Sequence, residues 1–282
     1  AASVFKIASA AAFLDKARIQ PGKRVCVHGG RRRLSTREIH GDKRLDRRCR
    51  RFSDALGHSD NTVFARLAYH HLKPEDLLEV TGRLGWDREL DTPWSLPVSA
   101  IELPPADDKE EFARTAAGFW HSHLSPMHAA LLTSAIANGG ELMAPRRIDE
   151  WTSPAGEVLR RPRARVQERM MSARTAHVVS RMMVQTVAEG TGRRAFGDRK
   201  HWPWRGRMEI ASKTGSLNQY KPDFAAYSWY VAFAPADDPK IAVASLVGNP
   251  SKWYVKAIHV VRETLAAHFA AQRARDTLAM AE

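Results

Sequence analysis

The chain has 282 residues, 44% apolar and 27% charged, enough for a folded protein whose core needs no staples. No run approaches 18 consecutive apolar residues and the N-terminus lacks the basic-then-apolar layout of a secretory signal, so a membrane anchor or export signal is expected only outside these residues. Lys and Arg number 44 against 31 Asp and Glu, a net charge of +13.

In chain order, residues 3–16 predict a buried helix, because Phe5, Ile7, Ala8, Ala11, Ala12 and Leu14 recur at helical spacing. The segment from Lys16 to Arg51 holds 14 Lys or Arg and three acidic residues, Glu38, Asp42 and Asp46. Pro21-Gly22, Gly29-Gly30 and Gly41 break any periodicity, so residues 17–52 read as irregular. Segment 16–51 is either a solvated surface or a face for anionic lipid or an anionic wall polymer. No nucleic-acid-binding motif accompanies the charge, so nucleic acid is not an expected partner. Cys26 and Cys49 lie in the same segment and leave two readings open, one disulfide or two free thiols. Neither has a Cys-x-x-Cys partner, and no metal or cofactor is expected.

Helices are predicted at Thr62–Leu72, Pro74–Leu84 and Lys109–Phe119, and then in SPMHAALLTSAIANGG, where Ser125 caps, Pro126 leads and Gly139-Gly140 ends the run. Another covers 172–188. The pattern then turns β-like in MEIASKTG, AAYSWYVAFAP and KIAVASLVG, before a final helix from near Lys252. The layout is α+β: an antiparallel sheet flanked by helices, with an all-helical part at about 17–190 and the sheet with its C-terminal helix at about 200–275. The active site is expected at their junction, within one domain over 1–282.

Three short elements carry chemistry: S-V-F-K at Ser3–Lys6, S-D-N at Ser59–Asn61 and K-T-G at Lys213–Gly215. Singly they are weak, since a Ser-x-x-Lys arises roughly once by chance in a chain of this size. Their joint order and setting make the signal. A serine hydroxyl needs a base within hydrogen-bond reach, and one helical turn puts the Lys6 amine beside Ser3. The amine must be neutral to accept a proton, and a second cation, Lys213, pushes its pKa down. Ser59 can relay the proton to a leaving amine, and Asn61 can hold a substrate carbonyl. Lys213 and Thr214 offer a charge and a hydroxyl to a carboxylate, and the backbone N–H groups of Ser3 and Ser216 suit an oxyanion.

This trio, with ALGHSDNTVFARLA, LSPMHAALLTSAIANGG, VAEGTGRRAF and WYVAFAP…IAVASLV around it, resembles the transpeptidase domain of penicillin-binding proteins. The resemblance implies Ser3 as acylated nucleophile, Lys6 as general base, Ser59 and Asn61 in proton relay and positioning, and Lys213, Thr214, Gly215 and Ser216 at the substrate carboxylate and oxyanion. It implies a peptidoglycan stem peptide ending in D-Ala-D-Ala as substrate and β-lactams as acylating mimics. It also implies work at the extracytoplasmic face of the bacterial inner membrane, among other cell-wall synthesis proteins. In that family, strands of the sheet and an anchor precede the nucleophile, so upstream residues are expected beyond this chain.

A class A β-lactamase would need a deacylating glutamate in Glu-x-x-Leu-Asn, and RELD at Arg88–Asp91 gives Glu89 without that spacing. A class D enzyme does not normally carry S-D-N. A β-lactamase or penicillin sensor of this fold is the nearest alternative, and a non-catalytic cell-wall binding module is the other. His121, His123 and His128 lack acidic or cysteine companions for a metal, Trp202 and Trp204 read as packing residues, and Trp229 and Tyr230 are expected to split between core and surface.

Overall fold

The computed structural model describes residues 1–30, 34–220 and 223–280, so Arg31, Arg32 and Arg33 of the basic segment lie outside the described residues. A 3₁₀ turn, Ala2–Phe5, leads directly into α1, Lys6–Asp15. Lys6 through Phe13 are all buried, which is what a helix apolar on every side requires. Its alanines let neighbours approach on all faces, and α1 becomes the axis of the main core. Around it pack α3 (Phe52–Gly57), α4 (Asn61–His71), α5 (Pro74–Arg83) and α8 (Ala173–Ala188), with α6 (Lys109–Ala116) set against α4 and α7 (Pro126–Ala137) against α8. Ser125 caps α7 by accepting from the His128 N–H, and Ser172 caps α8 in the same way from Thr175.

Residues 17–52 are not irregular throughout. They form β1 (Arg24–Val27) and β2 (Arg48–Arg51), paired antiparallel, with the short helix α2 (Thr36–His40) between them. The hairpin escapes a hydropathy reading because β2 is Arg-Cys-Arg-Arg, with only one face turned inward. Cys26 and Cys49 are direct cross-strand partners and form a disulfide. Small paired strands follow α7: β3 (Glu141–Met143) with β6 (Val166–Arg169), and β4 (Trp151–Thr152) with β5 (Val158–Arg160).

After the one-turn helix α9 (Arg193–Phe196), the main sheet runs β7 (Ala211–Gln219), β8 (Ala225–Ala234) and β9 (Ile241–Asn249), antiparallel in that order. K-T-G therefore lies in the first half of β7 rather than at its end; the polar tail Ser-Leu-Asn-Gln hides the continuation. The two faces of β8 obey the period of two. Trp229, Val231 and Phe233 join the main core, while Tyr230, Ala232 and Ala234 join a second core with Trp202, Phe196 and the final helix α10 (Ala257–Ala279). Trp229 and Tyr230 do part to opposite faces, but neither face is surface, because α10 covers the second. Trp202 is buried in that second core and Trp204 packs against it. Helix α10 begins five residues after Lys252. Asn249 holds the intervening loop, accepting at Oδ1 from the N–H groups of Tyr254 and Val255 and donating to the Val255 carbonyl. Among the described residues no helix is long and apolar enough to cross a membrane.

Phe13 anchors the main core, its ring centroid 5.6 Å from both Phe52 and Phe64. Phe13→Ala should cost about 3–5 kcal/mol, read as a lower urea midpoint with an unchanged slope; an unshifted midpoint would contradict this packing.

Candidate active site

Ser3 sits in the 3₁₀ turn and Lys6 is the first residue of α1, so one turn separates them. Lys6 Nζ lies 3.0 Å from Ser3 Oγ, 2.8 Å from Asn61 Oδ1 and 2.5 Å from the Ala117 carbonyl oxygen. The Ala117 carbonyl reaches this point because Gly118 follows it at φ +82°, pressed onto the turn that holds Ser3. A Cβ on Gly118 would stand 2.5 Å from the Ala2 carbonyl oxygen and 3.2 Å from Ser3 Cα. Only glycine satisfies both the backbone angle and the closeness.

The second motif occupies the break between α3 and α4. Ser59 takes φ +54°, a left-handed turn, and the following Asp60 N–H donates back to the Ala55 carbonyl. Asp60 then caps α4, accepting from the Val63 N–H, and Asn61 opens that helix with its Nδ2 donating to the Gly30 carbonyl at 3.3 Å. Asp60 is buried, and Arg48 and Arg50 of β2 reach it at 2.6 and 3.6 Å. The third motif arrives on β7. Lys213 Nζ donates to Ser59 Oγ at 2.9 Å and to the Thr214 carbonyl at 2.8 Å, and the Thr214 hydroxyl lies 2.7 Å from that of Thr191. Gly215 packs on the 3₁₀ turn, where a Cβ would meet Trp229, Val4 and Ala2 at 3.0–3.5 Å. Ser216 follows, exposed on the strand.

Burial dominates the electrostatics. Lys6 is fully buried, and loss of solvent lowers its pKa from the ordinary 10.5 to about 7, against a smaller upward pull from the Asp60 charge. Lys213 is equally buried and held well below its ordinary value, first by burial and then by the charge of Lys6. The expected repulsion between the two lysines is thus present, but it registers on Lys213, while burial alone carries Lys6 down.

All eight residues singled out in the sequence converge. Ser3, Lys6 and Asn61 form one bonded group; Ser59, Lys213 and Thr214 form a second; Gly215 and Ser216 run past the turn of Ser3. Three participants had escaped notice. Thr191 lies in the quoted Glu-Gly-Thr-Gly stretch, which did carry a signal. The Ala117 carbonyl and the Arg48–Asp60–Arg50 cluster depend on contacts far apart in sequence, which no local pattern reports. Glu89 stands elsewhere, bordering a small cavity walled by Gly85, Leu96 and His128. His128 is itself buried and bonds the Leu84 carbonyl, and His121 pairs with Glu111.

Fold and motifs together describe a transpeptidase-type domain. The model of the penicillin binding protein transpeptidase domain matches residues 1–268, and the chain belongs to that family. It is 30% identical over 203 residues to the peptidoglycan D,D-transpeptidase PbpA of Mycobacterium tuberculosis, an alignment covering 70% of this chain and 38% of that protein. Against stage V sporulation protein D of Bacillus subtilis it is 25% identical over 254 residues, covering 88% of this chain and 38% of that one. Among solved structures, the imipenem acyl-enzyme complex of penicillin-binding protein A from M. tuberculosis superposes with TM-score 0.72 at 26% identity, covering 94% of this chain and 59% of that one. The chain spans under two fifths of the length of these curated relatives.

Lys6 titrates near 7 when folded and near 10.5 when unfolded, so between these values the unfolded chain holds more protons and stability rises with pH. In Lys6→Met that contribution is gone. The urea-unfolding free energy of the variant should climb less steeply from pH 7 to 10 than that of the parent, and equal slopes would argue against a buried amine that loses its charge.

Proposed function

We propose that the domain is a serine acyltransferase that acts on peptidoglycan stem peptides ending in D-Ala-D-Ala and is acylated by β-lactams at Ser3. The single observation that carries the reading is the set of neighbours around the Lys6 amine. Asn61 Oδ1 and the Ala117 carbonyl can only accept, so they take two N–H bonds. Ser3 Oγ is the one neighbour of the three able to donate, and a neutral amine therefore turns its lone pair toward that hydroxyl.

Ser3 Oγ attacks the carbonyl carbon of the penultimate D-Ala while Lys6 takes its proton. The backbone N–H groups of Ser3 and Ser216 receive the oxyanion. Lys6 returns the proton through Ser59 to the nitrogen of the last D-Ala, the C–N bond breaks and free D-Ala departs. An amine of a neighbouring stem peptide, or water, then attacks the Ser3 ester and regenerates the hydroxyl. Asn61 positions the substrate backbone. Lys213 supports Ser59 and, with Thr214 and Gly215, receives the terminal carboxylate, with Thr191 orienting the Thr214 hydroxyl. The imipenem adduct of the M. tuberculosis relative supports the β-lactam part. The cell-wall relatives support work in the extracytoplasmic envelope. The outer face of the inner membrane as the place, and other cell-wall synthesis proteins with anionic lipid or wall polymer as partners, belong to this proposal.

Incubation with benzylpenicillin should add one penicilloyl mass to the protein and none to Ser3→Ala. The acylation rate should rise about tenfold per pH unit below 7 and level off above it, as the buried Lys6 loses its proton. Lys6→Met should slow acylation by roughly 10²–10⁴-fold. A folded protein that gains no mass sinks the acyl-enzyme reading.

A further inference from the structure

A cleft of about 760 Å³ opens beside Ser59 and Asn61 and runs along the β1–β2 hairpin. Its lining carries three guanidinium groups, Arg47, Arg48 and Arg50, together with His58. Two carboxylates border it, and both are already engaged. Glu38 accepts from the Gly30 and Ser35 N–H groups at 2.7 Å each and closes the capping box of α2. Asp60 is buried and faces both Arg48 and Arg50. One carboxylate cannot neutralise two guanidiniums, and Asp60 meets Arg50 only through a 3.6 Å contact to Nε, beyond hydrogen-bond length. Arg47 is exposed and has no acidic partner among the described residues. The cleft therefore holds an excess of positive charge at the wall of the site around Ser3.

We infer that this cleft is a subsite for a second carboxylate of the acyl donor, carried by a residue upstream of D-Ala-D-Ala. The inference rests on the function proposed above. Asn61 bonds Lys6 beside Ser3 and also lines this cleft, so the cleft is open to the upstream residues of a peptide whose scissile carbonyl lies over Ser3. Guanidinium groups match carboxylates through paired N–H bonds, which an uncharged carboxamide cannot reproduce. The hairpin holds the arginines in place. Arg48 and Arg50 lie on the face of Val25 and Val27 that turns toward α4, while the Cys26–Cys49 disulfide fixes the register from the other face. Arg47 stands just before β2 and lines the cleft, exposed.

The test uses N-acetylated peptides ending in D-alanyl-thiolactate, whose released thiol reports acylation of the enzyme. Each upstream position in turn carries glutamate or glutamine. In the parent protein, glutamate should be favoured in kcat/KM roughly tenfold at one position, and the preference should shrink in 0.5 M salt. In Arg47→Gln it should fall to about twofold or less, and in Arg47→Glu glutamine should become the better substrate, with the melting temperature of both variants near that of the parent. Equal rates for glutamate and glutamine at every position overturn the inference, as does a preference that survives both substitutions. A loss confined to co-sedimentation with anionic phosphatidylglycerol vesicles also overturns it, because the arginine would then serve a lipid surface. Failure of the parent reading looks different: no penicilloyl adduct forms on Ser3 and no thiol is released from any peptide, and both proposals fall together. An adduct on Ser3 with equal peptide rates sinks only the carboxylate subsite.

Discussion

Everything at the centre of this molecule follows from burying two lysine amines side by side. A charged amine removed from water is expensive, and neither Lys6 nor Lys213 has a carboxylate within hydrogen-bond reach. The fold answers by lowering the charge and supplying neutral acceptors: a carboxamide and a carbonyl for Lys6, a hydroxyl and a carbonyl for Lys213. These acceptors come from different places in the chain. Asn61 comes from the start of α4, Ala117 from the end of α6, Ser59 from the turn before α4 and Thr214 from β7. Each must be held to within a few tenths of an ångström, which gives the packing around α1 a chemical purpose. The one nearby carboxylate, Asp60, stabilises the charged form of Lys6, and it is itself held by two arginines from the hairpin.

Much of this was legible in the sequence, and the reason is locality. Ser3 and Lys6 are one turn apart, Ser59 to Asn61 fill one turn, and Lys213 to Gly215 follow one another, so each group declares itself within a few residues. Helices with strong caps, such as those begun by Ser125 and Ser172, were equally readable. The β1–β2 hairpin was not. Its second strand is almost entirely arginine and cysteine, and its stability comes from pairing Arg24–Val27 with residues more than twenty positions away. The Ala117 carbonyl was hidden for a similar reason, since a main-chain oxygen leaves no mark in the residue type. The buried second face of β8 depends on α10, which no reading of β8 alone could supply.

The positive charge of the basic segment also divides once the fold is known. Arg66 of α4 and His28 share Asp46, and Arg37 binds Asp42, so part of the segment's charge ties the hairpin to the helices. Another part, around Arg47 and Arg50, faces a cleft. The same composition thus serves two ends, and the total of +13 describes neither.

Strand β7 pairs on one side only, with β8, among the described residues. Along its other side the 3₁₀ turn covers Gly215, and the run from Ser216 to Gln219 lies exposed. At about 3.3 Å per residue this leaves roughly 13 Å of open ladder. Unpaired backbone of that length can receive another extended chain, while its shortness works against sheet-to-sheet association.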